Sequence, residues 1–157
     1  MLCIDRLASA LTWASALLFI AGCAQSPAPA ASSAPAPAVA RVVLGAPAAA
    51  RSWDEFKRQA ARRMVAATPG GTYMGKPPEP LLAIPVLEVE FSADGSVRNV
   101  KVLRTPTQAQ DTTQLAIDAV RRGAPYGDMS RLAKPWKYTE VFLFDDQRRF
   151  KPRTLDD

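Results

Sequence analysis

The spacing of apolar positions divides this chain into stretches of different character. Leu7 to Ile20 is almost unbroken apolar sequence, interrupted only by Ser and Thr. Residues 24 to 51 carry Ala, Pro and Ser with almost no large apolar side chain, apart from Val42-Val43-Leu44. From Phe56 the pattern becomes helical: Phe56, Ala60, Met64 and Ala67 recur at four- and three-residue steps, which puts them on one face. Ser52 and Glu55 read as a capping box at the start of that helix, and Pro69-Gly70-Gly71 ends it. After the proline-punctuated stretch Lys76 to Pro80 the period falls to two. Leu87, Val89 and Phe91 alternate with Glu88 and Glu90, the mark of a strand with one buried face. Ala93-Asp94-Gly95-Ser96 predicts a hairpin turn with positive φ at Asp-Gly. The return strand runs from Val97 to about Arg104 with Val100 and Val102 inward; Val97 is out of phase and marks a bulge or the strand's first residue.

A second helical pattern covers Asp111 to Arg122, with Asp111 or Thr112 as cap and Leu115 or Ala116, Ala119 and Val120 as its apolar stripe. Arg121 and Arg122 in the last turn oppose the negative end of the helix dipole, and Gly123 and Pro125 stop the helix. Trp136 to Phe144 is rich in aromatic and β-branched residues and reads as a strand. Asp145-Asp146-Gln147 predicts a turn, and Arg149 to Leu155 a short terminal strand that Pro152 confines to an edge. The expected fold is α+β: a small antiparallel sheet of three or four strands with two helices on one face.

Composition narrows the chemistry. The chain has 157 residues, a formal charge of +5, two cysteines and no histidine. Without histidine the commonest general base, the commonest metal ligand and the Ser-His and Cys-His dyads are gone. Glu88 and Glu90 alternate with apolar residues and so read as a solvated face rather than an acid/base pair. No catalytic, metal-binding or cofactor-binding set is predicted. Residues 52–157, about 105 in all, suffice for one small domain.

The apolar run ends in Ile20-Ala21-Gly22-Cys23. A hydrophobic segment, two small residues and then cysteine resemble the lipobox of bacterial lipoproteins. The run is about sixteen residues, short of the ~20 needed to span a bilayer and within the signal-peptide range. The resemblance implies that residues 1–22 are a signal peptide and that Cys23 becomes a lipidated N-terminus, a stable anchor with its several acyl chains. Ala24 follows in place of the aspartate that retains enteric lipoproteins in the inner membrane, which implies a periplasmic protein held at the outer membrane. Residues 23–51 then form a stand-off arm, semi-rigid through its prolines. With this address the positive charge points away from nucleic acid and toward an acidic envelope partner. Arg121, Arg122, Arg131, Lys134 and Lys137, which flank the loop before the last long strand, are the candidate basic patch.

The segments VEFSADGSVRNVKVLR, LAIDAVRRGAPYG and the aromatic strand ending in VFLF resemble, in order and spacing, the C-terminal domain shared by the TonB and TolA energy transducers. The likeness covers roughly Trp53 to Phe144. Where that family often opens its second helix with Leu-Asp, this chain has Thr112 and Thr113. The resemblance implies a non-enzymatic binding fold in which an extended peptide adds to a sheet edge. The family's docking edge would correspond to Tyr138, Thr139, Glu140, Val141, Phe142, Leu143 and Phe144, unless Arg149 to Leu155 folds back upon it. The expected partner is a cell-envelope protein or peptide, with homodimerisation by edge pairing as a related outcome. Two alternatives stand beside this: a TonB-like transducer of the inner membrane with Leu7 to Gly22 uncleaved, and a protein that binds peptidoglycan.

Overall fold

The computed structural model describes residues 42–156. The segment expected to be a signal peptide (1–22), the expected lipidation site Cys23 and most of the expected arm lie outside the described residues. The fold is α+β, with two helices and a four-stranded antiparallel sheet in the order β2-β1-β3-β4. Its elements are α1 (Trp53–Ala66), β1 (Val86–Phe91), β2 (Val97–Arg104), α2 (Asp111–Gly123), β3 (Lys137–Phe144) and β4 (Phe150–Pro152), followed by the 3-10 turn Arg153–Leu155.

Helix α1 starts as its sequence dictates. Ser52 Oγ accepts a hydrogen bond from the Glu55 N–H at 3.2 Å. The Glu55 carboxylate reaches back to the Arg51 N–H (2.8 Å), one residue beyond the expected capping-box partner. Phe56, Ala60, Ala61 and Met64 are buried, and Phe56, Ala60 and Met64, with Ala116, Ala119 and Val120 of α2, form one core with Leu87, Val89, Phe91, Phe142 and Phe144 of the sheet. Phe56 is the hub: its ring lies edge-on to Phe91 (5.2 Å between centroids) and to Tyr138 (5.9 Å). Helix α2 departs from expectation at its start. Neither Asp111 nor Thr112 caps it; Gln110 holds the cap position without a side-chain bond, and Thr112 Oγ1 donates instead to the Ala109 carbonyl (2.7 Å).

The β1–β2 hairpin carries two register shifts, at Glu90/Phe91 and at Val86/Leu87. The first brings Val97 opposite Phe91 and into the phase of Val100, which faces Val89. Val102 pairs with Leu87 on the same side, yet remains 37 % exposed. In the turn only Gly95 takes a positive φ (78°), and a Cβ there would meet the Gly127 backbone oxygen. That close approach lets the Tyr126 N–H donate to the Gly95 carbonyl (2.8 Å) and docks the loop before β3.

The folded region begins earlier than the helix cap. Ala50 is buried in the core, Gln59 Nε2 donates to the Ala48 carbonyl (2.7 Å), and Arg63 donates to the carbonyls of Gly45 (2.7 Å) and Gly123 (3.0 Å). The last residues of the Ala/Pro stretch are therefore docked on α1 rather than part of a free arm.

Candidate functional site

The seven residues expected to form a docking edge lie instead in an interior strand. β3 pairs with β1 from Val86↔Val141 to Glu90↔Lys137, and with β4 from Phe142↔Pro152 to Phe144↔Phe150. Tyr138, Glu140, Phe142 and Phe144 are buried, Leu143 is buried on the opposite face, Val141 is half-buried and Thr139 is exposed. The physical reason is the terminal hairpin. Asp145 accepts from the N–H groups of Gln147 (3.1 Å) and Arg149 (2.8 Å) and from Arg149 Nε (2.8 Å), which turns the chain and returns β4 alongside β3.

Beyond β4 the tail is held by side chains that the alternation pattern places in unexpected surroundings. Glu140 is in phase with Tyr138 and Phe142, so its carboxylate enters the core side, only 1 % exposed. It accepts from the Val141 N–H (3.2 Å), the Thr154 N–H (3.3 Å) and Thr154 Oγ1 (2.8 Å). Burial pushes its pKa above the ordinary 4.5, against the opposing pull of these donors and of Lys57. Lys151, 5 % exposed, donates to the Gly75 carbonyl (2.8 Å) and to Asp156 Oδ1 (2.6 Å). The outer side of β4 is closed by the Gly71–Tyr73 segment, whose Thr72 bridges Phe150.

The free edge is at the other end of the sheet. β2 lies outermost, and among the described residues no strand or bridge pairs with its far side. Its eight residues include Arg98, Lys101 and Arg104, all exposed, and no acidic residue. Val102 and Leu103 are 37 % and 48 % exposed there. This is a long, positively charged edge with two apolar side chains at its end. The sequence carried a signal for it, since both strands of a hairpin cannot be interior unless other strands flank them on both sides.

The candidate basic patch is divided among three places. Arg121 and Arg122 are exposed in the last turn of α2. Arg131 and Lys134 are exposed in the loop before β3, with Lys134 Nζ 4.6 Å from the Trp136 ring centroid. Lys137 starts β3 and is paired with Glu88 at 3.1 Å, so its charge is already matched. Trp136 anchors its loop by donating to the Leu132 carbonyl (3.0 Å).

On the sheet face away from the helices lies an open groove of about 920 Å³. Val86, Val141 and Leu143 form its floor and the Pro77-Pro78 stretch lines it as well, together with the charged residues Arg104 and Arg153. Family models, curated proteins and solved structures contain no match to this chain.

Proposed function

We propose that this chain is a non-enzymatic, lipid-anchored protein of the cell envelope whose α+β domain binds a partner protein by strand addition, in the manner of the TonB and TolA C-terminal domains it resembles. The observation that carries this reading is the outer side of β2, unpaired among the described residues, where the N–H and C=O groups of alternate residues along an eight-residue strand are open beside a packed core. The docking edge is then β2 rather than β3. Main-chain hydrogen bonds supply affinity there, and Arg98, Lys101 and Arg104 favour an acidic partner strand. The lipobox-like Ile20-Ala21-Gly22-Cys23 supports the membrane address, by acylation of Cys23 and attachment at the outer membrane.

Photo-crosslinking residues placed singly at Arg98, Lys101 and Thr139 in intact cells test the docking edge. Adducts to one protein from the two β2 positions, with none from Thr139, are expected. Adducts from Thr139 but from neither β2 position would overturn it. Metabolic labelling with a fatty acid should mark the wild type and not Cys23→Ser; an unlabelled wild type would instead favour an uncleaved anchor and the transducer alternative.

A further inference from the structure

The groove on the outer sheet face is a second surface that meets the β2 edge at Arg104, and its charges are unevenly matched. Of its acidic groups, Asp156 is paired with Lys151 at 2.6 Å, and the exposed Glu79 has the Lys76 ammonium 4.0 Å away. Among the described residues, Arg104 and Arg153 have no acidic side chain within 4.0 Å, and both are exposed. The sheet register sets Arg104 at one end of a row, and Arg153, the first residue of the 3-10 turn, lies just past its other end. Arg104 pairs with Val86, Val86 pairs with Val141, and Arg153 follows Pro152, the partner of Phe142. Adjacent strands are about 4.8 Å apart, so three steps from Arg104 to Arg153 span about 14 Å. The floor between them is the Val86–Val141 pair, with the buried Leu143 beside it.

We propose that this row binds an extended acidic peptide segment laid across the strands, with carboxylates at its first and fifth positions and a large apolar residue at its third. An extended chain advances about 3.3 Å per residue, so four steps match the separation of the arginines. Side chains one, three and five of such a segment point to the same side. The outer two carboxylates meet the guanidinium forks of Arg104 and Arg153, whose planar donors suit a carboxylate. The third side chain covers the valine floor. The groove is open to solvent, which suits a peptide lying on the surface better than an enclosed small molecule.

The test uses the full chain and a fluorescent, acetylated and amidated pentapeptide Glu-Val-Leu-Val-Glu, with binding read by fluorescence polarisation. Arg153→Ala and Arg104→Ala should each weaken binding about tenfold, the loss of one hydrogen-bonded charge pair. The Lys-flanked peptide Lys-Val-Leu-Val-Lys should not bind. A backbone N-methylated form of the acidic peptide should still bind, because the groove contacts use side chains. That arm separates the groove from the β2 edge. If N-methylation abolishes binding while Arg153→Ala leaves it intact, the peptide is adding to β2 and the groove assignment is overturned. Equal binding of the Lys-flanked peptide overturns it as well. So does preferential binding of soluble dihexanoyl phosphatidylglycerol, which would assign the two arginines to an anionic lipid headgroup. Because Arg153 and Arg104 are exposed, the variants keep the wild-type circular dichroism spectrum.

Discussion

The two ends of the sheet solve the same problem in opposite ways. At one end β4 has three residues, and its outer side is closed by Gly71–Tyr73. Its tail is fastened by Glu140 and Lys151 from the interior. At the other end β2 has eight residues and no strand neighbour among the described residues; only its exposed cations discourage pairing with another sheet. A covered edge draws its stability from packing and buried polar contacts. A charged edge contributes little to stability and stays available to a partner. Substitutions at the two ends should therefore separate stability from association.

The largest effect is expected at the covered end. Phe150 is 2 % exposed and lies 5.4 Å from the Phe142 ring and 5.7 Å from that of Phe144. Phe150→Ala should lower the unfolding free energy by about 3–5 kcal/mol in urea titration. Next, Lys151→Ala should cost about 2 kcal/mol in the same assay, since it strands the Gly75 carbonyl and the Asp156 carboxylate. Ser52→Ala, which removes the α1 cap at neither sheet end, should cost about 1 kcal/mol and serves as the reference for an ordinary local loss. Smallest is Lys101→Val on β2: stability should change by no more than about 0.5 kcal/mol. Self-association in sedimentation velocity should rise, because a deterrent charge has left an open edge.

The pH response sharpens the same contrast. The pKa of Glu140 is raised in the folded protein, above all by burial, so the native state holds this proton more tightly than the unfolded chain. Its contribution is most favourable below the ordinary value near 4.5 and is lost as pH rises through the raised value. Glu140→Gln should remove that decline. Urea midpoints across this window should show the variant gaining on the wild type as pH increases. Identical slopes for the two proteins would contradict the buried-carboxylate account.

Much of this architecture was legible in the sequence, for identifiable reasons. β1 was readable because Leu87, Val89 and Phe91 face a core while Glu88 and Glu90 do not. The Val97 phase break was readable as a bulge or a strand start, and both hold: β2 begins at Val97 and a register shift at Glu90/Phe91 brings it into phase with Val100. The position of β3 was readable only as an alternative: the Asp145-Asp146-Gln147 turn and a terminal strand within Arg149 to Leu155 were legible, but a three-residue strand containing Pro152 is too short for periodicity to decide whether it covers β3. Glu140 did leave a trace, a carboxylate in phase with Tyr138 and Phe142. Its burial depends on Thr154, fourteen residues away, supplying donors. The docked segment before Ser52 left none, since alanines and prolines of an arm and of a core read alike. Nor does any periodicity in Arg104 or Arg153 announce that the fold will bring them to one groove.

Arg63 has a mechanical consequence. Its guanidinium grips Gly45 on the incoming chain and Gly123 at the end of α2 at once, while Gln59 holds Ala48. A pull transmitted along the arm meets these side-chain hydrogen bonds before it reaches the backbone ladders of β1, β2 and β3. Tension would peel the arm away from α1 stepwise, adding slack while the sheet stays intact.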